Sequence, residues 1–392
     1  MVKVGIIGGS IGGLTAACLL RDRGIAEVKV FERSQSELEQ RGAGIGFLEP
    51  ASRYLKTFAK IDLDDISVKT PKIRYLDRQN EITFEKAHTY RFSSWTTVYK
   101  LLLRSFDSNS YKLGQELVDW ENGSKAVTAK FKNGDSATFD LMICADGVGS
   151  DSRKKLLPNV LSNYSGYVAW RGMVSESDLD KKLRASFSEA ITYYVFANSH
   201  ILVYPIPSLD GSVKKGERLI NFVWYRNYAE GSELDDLLTG NDGKYRSISV
   251  PPGLLKEHHL LEAKAVARAR MPRDIADLVD ATQNPFIQVV YDVSVDKMVF
   301  QRICLLGDAA FVARPHAAAG SAKAAEDGWQ LANSLQKQKD IDKSLKMWES
   351  TQLRLGKDLI KRTRLIGDRS QVYNNWNPEE NRFLFGLHKA GE

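Results

Sequence analysis

Alternating strand and helix signals predict an α/β chain: a parallel-sheet domain, interrupted by a mixed β-sheet domain and closed by C-terminal helices. Three observations carry that expectation. An apolar run at the N-terminus, Val2–Ile7, leads through the glycines of Gly8–Gly13 into the helical pattern Leu14–Arg23. Two later apolar runs end in a turn that carries a carboxylate, Met142–Cys144 before Asp146-Gly147 and Ile303–Leu306 before Gly307-Asp308. From Tyr164 to about Phe286 the character changes to alternating strands rich in aromatics.

Taken in order, the first apolar run reads as a buried strand, and the spacing G-x-G-x-x-G falls on Gly8, Ser10 and Gly13, with Gly12 inside it. Strand, glycine loop, helix and second strand (Val28–Phe31) make this domain Rossmann-like. The second strand ends in Glu32-Arg33, about 20 residues past the glycines, where an acidic side chain reaches a ribose hydroxyl. The middle glycine of the fingerprint is replaced by Ser10, whose hydroxyl is small enough to sit beside a pyrophosphate. Arg41–Gly46 is a second glycine cluster, able to lay backbone against a flat ring; Gly44 and Ile45 are its candidates. A helix over Ala51–Phe58, a hairpin of Ile73–Asp77 and Glu81–Phe84, and a helix over Val98–Phe106 follow. Gln115–Glu121, Ala126–Phe131 and Ala137–Leu141 alternate around two Asn-Gly turns and predict a three-stranded meander.

The aromatic-rich segment reads as strands Tyr167–Met173, Ala190–Phe196, His200–Ile206, Arg218–Tyr225 and Phe286–Val293, with a helix over Ser232–Leu238. One face is expected to carry Tyr167, Trp170, Tyr193, Tyr204 and Trp224. After Gly307-Asp308, the stretch Arg314–Gly320 is a loop of small residues, and a helical pattern starts at Ser321, with helices continuing over Leu331–Arg369. The Gly-Asp carboxylate and a helix N-terminus thus face one spot, suited to a sugar-like hydroxyl and an anionic ring edge.

Composition narrows the class. The chain has 392 residues, 43% hydrophobic and 27% charged, which fits a soluble protein of two joined domains. Its net charge of +6 is spread over 55 basic and 49 acidic residues, so nucleic acid is not an expected partner. No stretch approaches the roughly 20 apolar residues of a membrane span, and the first strand leaves no room for a signal peptide, so a cytoplasmic protein is expected. Cys18, Cys144 and Cys304 lie in apolar runs and read as core thiols, neither disulfide nor metal ligands.

Together, Gly8–Gly13 with Glu32, Asp146-Gly147 with Arg153, and Gly307-Asp308 with Pro315 and Gly320 resemble the three motifs of the single-component flavoprotein aromatic hydroxylases, the para-hydroxybenzoate hydroxylase class. Tyr167–Gly172 and Tyr204–Pro207 are similar to segments of that class. The loop Arg314–Gly320 and Lys323 resemble its branch acting on 2,6-dihydroxypyridine. The resemblance implies bound FAD, NADH or NADPH as co-substrate, O2, a small aromatic substrate and a homodimer. By position, Gly8, Ser10, Gly12 and Gly13 would hold the pyrophosphate and Glu32, with Arg33, the adenosine side. Gly44, Ile45, Asp146 and Gly147 would face the cofactor. Asp308 would bind the ribityl chain, and Pro315, Ala319 and Gly320 the flavin ring. The implied domains are 1–72, 96–163 and 287–345 for FAD, 73–95 and 164–286 for substrate, and a helical 346–392. Two positions depart from the class: Trp95-Thr96-Thr97 stand where many relatives have an arginine, and Phe311 replaces a histidine.

The chemistry so implied is ring hydroxylation through a flavin C4a-hydroperoxide. The protein excludes water, orients the ring and eases loss of its hydroxyl proton. His316 is the candidate for the last task, with Pro315 and Tyr204 beside it. A hydroxypyridine is the expected substrate, and a hydroxybenzoate or other phenol is the alternative. A non-hydroxylating flavin oxidoreductase and a non-catalytic nucleotide scaffold stay open. A flavin halogenase lacks its Trp-x-Trp-x-Ile-Pro signature here, and a disulfide reductase lacks a second glycine fingerprint and a cysteine pair.

Overall fold

Three sheets organise the chain in a computed structural model that describes residues 1–38 and 43–391. The first has six strands in the order Val299–Phe300, Ile303–Leu305, Leu141–Cys144, Val2–Ile7, Ala26–Phe31 and Tyr111–Lys112. All its pairings are parallel except the one between its first two strands. Its central strands are short and apolar because both faces are covered: Leu141–Cys144 and Ile303–Leu305 are wholly buried. Helix Ile11–Asp22 packs on one face against helix Gly320–Lys337. The meander predicted from the Asn-Gly turns is present as Leu117–Asn122, Val127–Phe131 and Ser136–Phe139. Its Phe131 stacks on Phe31 with centroids 4.6 Å apart, which welds it to the six-stranded sheet.

The second sheet has nine strands, all antiparallel except where Ala190–Phe196 meets Val68–Leu76. Gly44–Gly46 forms its edge, paired with the long strand Ile82–Ser94. The predicted hairpin is therefore longer than expected, since its second strand runs on past Phe84 to Ser94. Residues 39–42 lie outside the description, so Arg41 and Gly42 of the second glycine cluster are not placed.

Two expectations need correction. Helices Glu257–Arg270 and Arg273–Ala281 stand before the strand Phe286–Asp292, where no element was expected. The first buries only His259, Ala263 and Ala267, at spacings of four, so small residues rather than an apolar stripe mark its inner face. The aromatic face is also divided. Trp170 pairs with Trp224 in register and both enter the core under those helices, whereas Tyr167, Tyr193 and Tyr204 belong to the core on the other face. Successive strand residues alternate sides, so Tyr167 and Trp170, three apart, cannot share one.

Helix Ile341–Gln371 closes the molecule and touches both sheets. Near its start Trp348 Nε1 donates to the Asp327 carbonyl (2.9 Å), and Glu349 accepts from the Met298 and Val299 amides. Near its end Gln371 Nε2 donates to His200 Nδ1 of the nine-stranded sheet (3.0 Å). The three cysteines are buried and free, and burial pushes the Cys18 thiol up to about 12. No helix among the described residues is long and apolar enough to cross a membrane.

Candidate active site

Two cavities of about 450 and 230 Å³ adjoin at Trp95, which lines both. The smaller is built on the glycine loop. Gly8 has φ +104°, and a Cβ there would sit 2.3 Å from the Ala145 carbonyl oxygen, so only glycine lets the loop cross the Asp146 strand this closely. Ser10 caps helix Ile11–Asp22 by position, yet its side chain makes no capping bond. The first N–H groups of that helix are therefore left for a ligand. Glu32 is buried; Oε2 accepts from the Gly9 amide and Oε1 from the Ser34 amide, both at 2.9 Å. Each oxygen keeps a lone pair for a hydroxyl. Across the cavity, Asp146 accepts from the Ser150 hydroxyl (2.6 Å) and the Ser152 amide (3.0 Å).

Arg153 joins the cavities from beneath. Only 1% exposed, it donates through Nη1 to the Asp308 and Ala309 carbonyls (3.0 and 3.1 Å) and through Nη2 to the Val148 carbonyl (2.7 Å). The Asp146-Gly147 and Gly307-Asp308 turns are thereby held as one unit. Gly307 is further fixed by Asp327, which accepts its amide at 2.9 Å and pairs with the buried Lys323 at 2.6 Å.

In the larger cavity, burial raises the Asp308 carboxyl to about 6, opposed by Lys323 and Arg153. The turn Pro315–Ala317 ends at Ala318, held at φ +51°, and helix Gly320–Lys337 starts from Ala319 without a side-chain cap. Ala318 to Ser321 line the cavity, so the uncapped amides of that helix face it. The opposing strands contribute Arg171, Tyr204, Tyr225, Phe286 and Gln288. Arg171 Nη2 and the Tyr204 hydroxyl both donate to the Gly44 carbonyl, at 2.6 and 3.1 Å. Any Cβ on Gly44 would meet Tyr204 at 2.8 Å, so the edge strand is pinned by contact and by hydrogen bonds alike. Arg171 Nη1 donates to Gln288 Oε1 (3.1 Å), while its Nε is buried without a partner.

Of the residues singled out in the sequence, Gly8, Ser10, Glu32, Arg33, Asp146 and Gly147 line the smaller cavity. Gly44, Ile45, Tyr204, Asp308, Pro315, Ala319 and Gly320 line the larger. Gly12 and Gly13 stand behind the lining. A Cβ on Gly12 would press on Ala324 (2.9 Å) and one on Gly13 on the Gly8 carbonyl (2.0 Å). His316 is not brought to the cavity either. Its ring points into the core between His200 and Tyr225, and Nε2 accepts from the Tyr167 hydroxyl at 2.7 Å. Arg314 Nη1 donates to the same hydroxyl oxygen (3.4 Å), which leaves the tyrosine proton for His316. Burial, with His200 and Arg314 close by, holds His316 well below the ordinary histidine range, and therefore neutral. Tyr193 and Trp224, expected on one face with Tyr204, do not line it. Gln288, Ile248 and Ser249 do and were missed, because none stands in a motif.

The family model described as "FAD binding domain-like" matches residues 164–292, the segment that supplies Arg171, Tyr204 and Gln288. The chain is 35% identical to the 2,6-dihydroxypyridine 3-monooxygenase of Paenarthrobacter nicotinovorans over 100% of this chain and 97% of that one. The solved structure of 2,6-dihydroxypyridine-3-hydroxylase from Arthrobacter nicotinovorans superposes with a TM-score of 0.94, at 35% identity, covering 100% of this chain and 98% of the other. Klebsiella pneumoniae HpxO complexed with FAD and uric acid shares the fold, with a TM-score of 0.77 at 22% identity over 94% of this chain and 89% of that one. A glycine loop whose Gly8 admits no side chain, carboxylates lining both adjoining cavities, and 35% identity to a known monooxygenase along the whole chain place this chain in the family of FAD-dependent aromatic-ring monooxygenases.

Proposed function

We propose that this enzyme hydroxylates an electron-rich, already hydroxylated aromatic ring, favouring a hydroxypyridine such as 2,6-dihydroxypyridine, with NAD(P)H and O2 as co-substrates. The observation that carries the proposal is the make-up of the larger cavity: an aromatic and aliphatic wall that holds one polar edge, Arg171 with Gln288, in the same space as an uncapped helix N-terminus. The relatives named above support the choice of ring.

The residues present fit FAD. In this reading the six-stranded sheet is the FAD-binding domain and the nine-stranded sheet the substrate domain. The amides after Gly8 and the Ser10 hydroxyl hold the pyrophosphate, Glu32 the adenosine ribose, and Asp308 a ribityl hydroxyl. Gly44 and Ile45 would offer backbone to the flavin ring, and the Gly320 and Ser321 amides would favour an anionic group in the same cavity. Bound FAD supplies the redox chemistry, taking two electrons from NAD(P)H and activating O2, so that one oxygen atom enters the substrate and the other leaves as water. Ala318, Ala319, Val312 and Phe286 exclude water from that space. The Arg171 guanidinium favours the ionised form of a substrate hydroxyl, which removes the need for a general base. His316 then acts from behind, holding the Pro315–Ala317 turn through Tyr167. Tyr204, whose hydroxyl donates to the Gly44 carbonyl, positions the edge strand.

A second reading, a hydroxybenzoate or other phenol, is favoured by Arg171, since a guanidinium also suits a carboxylate. Purified yellow protein should be assayed for NADH and NADPH oxidation against a panel of hydroxypyridines, hydroxybenzoates and phenols, with products identified. A dihydroxypyridine should give the fastest coupled turnover. Coupled turnover confined to benzoates would move the assignment to the second reading, and turnover with no ring would end both.

FAD binding itself has a direct test. Asp308→Asn removes a charge-assisted hydrogen bond worth about 1.5–3 kcal/mol, so FAD affinity should drop roughly 10- to 100-fold. Wild-type affinity should also weaken below about pH 6 as the carboxyl is neutralised, and that of the variant should not. Flavin fluorescence titration reads both. Equal affinities at neutral pH would remove Asp308 from the cofactor site.

A further inference from the structure

On the face of the nine-stranded sheet away from the cavities, helix Ser232–Leu238 meets the first turn of helix Glu257–Arg270. There Asp236 Oδ2 lies 3.0 Å from His258 Nε2 and 2.9 Å from His259 Nε2. The three ligand atoms fall within 4.8 Å of one another. His259 is only 8% exposed, and its Nε2 has no hydrogen-bond partner although it lies 2.9 Å from the carboxylate oxygen. The carboxylate oxygen accepts a hydrogen bond from His258, whereas the equally short His259 approach does not make one. The two nitrogen–oxygen separations of 3.0 and 2.9 Å suit ligands of one ion. With metal–ligand bonds of about 2.0–2.2 Å, the edges of a coordination shell are about 2.9 Å for an octahedron and about 3.4 Å for a tetrahedron.

We propose that Asp236, His258 and His259 form a site for one divalent transition-metal ion of the zinc class, with water completing the shell. Two imidazoles and a carboxylate are borderline ligands that select such ions over calcium or magnesium. Lys256 holds the other carboxylate oxygen, Oδ1, so ligation through Oδ2 leaves that contact in place while the ammonium weakens the site. The ligands flank residues 239–256, and the middle of that segment, Ile248 and Ser249, lines the larger cavity. An ion there fastens both ends of one active-site wall, spanning a separation of 22 residues. Sequence spacing hides the site, because adjacent histidines 22 residues from an aspartate match no metal motif.

The test is calorimetric titration of tag-free, FAD-loaded, chelator-treated protein with Zn²⁺, repeated with Co²⁺ to follow its visible bands. One ion per chain with a dissociation constant on the order of 1 µM or below is expected. His258→Gln and Asp236→Asn should each weaken binding about 100-fold, and Lys256→Met should tighten it about tenfold. His258 is 63% exposed by side chain, so its variant folds whatever becomes of the metal. Absence of a stoichiometric ion, or binding that survives His258→Gln and Asp236→Asn unchanged and is therefore adventitious, would overturn the proposal.

Discussion

Arg153→Met is expected to cost about 4 kcal/mol of folding stability and to strip the protein of FAD. The guanidinium satisfies three carbonyls, of Val148, Asp308 and Ala309, and it is almost wholly buried. Methionine fills much of the volume and supplies no donor, so those carbonyls are left unpaired in a low-dielectric interior. Hydrogen bonds from a charged donor contribute about 1.5–3 kcal/mol each, and losing one member of a buried charged network costs about 3–5 kcal/mol in all. Against a typical margin of 5–15 kcal/mol this is most of a marginal protein's stability. Flavin loss follows because the two carboxylate turns are no longer tied together. Urea unfolding followed by circular dichroism, with flavin absorbance per chain, reads both. Arg153→Lys reaches one carbonyl at best and should recover less than half. A change under about 1 kcal/mol with full flavin content would show that the turns hold themselves.

The second large effect is on pH. From about pH 7 to about pH 5, His200 and His316 should each withdraw about 2 kcal/mol of stability. Burial lowers His200 to about 3 and holds His316 well below its ordinary value. Unfolded, each takes up a proton near its ordinary pKa of about 6.5. The unfolded chain therefore binds more protons in this window, and the contribution, complete above about pH 6.5, is lost progressively as pH falls. Asp308 acts in the opposite sense. Its carboxyl is raised to about 6, so protonating it in the folded state returns about 1 kcal/mol over the same window. The histidine share is isolated by comparing urea unfolding of wild type with His316→Gln and His200→Gln at both pH values. Each variant should lose about 2 kcal/mol less than wild type between them. Parallel losses in wild type and His316→Gln would show that His316 is not held neutral in the folded state.

What was legible in the sequence was what the chain repeats or cannot vary. Three buried parallel strands show as continuous apolar runs because no face is left for polar residues, and each ends in the turn that bears chemistry. The glycine loop is legible because only Gly8 fits beneath the Ala145 carbonyl. His316 was misplaced because adjacency to Pro315 says nothing of direction. In a tight turn that ends at the left-handed Ala318, neighbouring side chains leave on different sides, so Pro315 meets the cavity and His316 the core. Arg171 and Gln288 meet only through strand pairing across 117 residues, which no local pattern encodes. Helix Glu257–Arg270 stayed hidden because its buried residues are two alanines and a histidine.

Helix Ile341–Gln371 has a consequence for how the molecule can move. At 31 residues it is a rod of about 46 Å, tied to the first sheet through Trp348 and Glu349 and to the second through Gln371. A rod fixed at both ends is a splint. For the two sheets to swing apart about the seam, the rod must bend or one of its attachments must break, and a hydrogen-bonded helix resists bending far more than a loop does. The degree of freedom left is sliding along the rod, which does not open the seam. Any opening wide enough for a ring is therefore expected in segments the splint does not hold, such as the wall formed by Ile248 and Ser249.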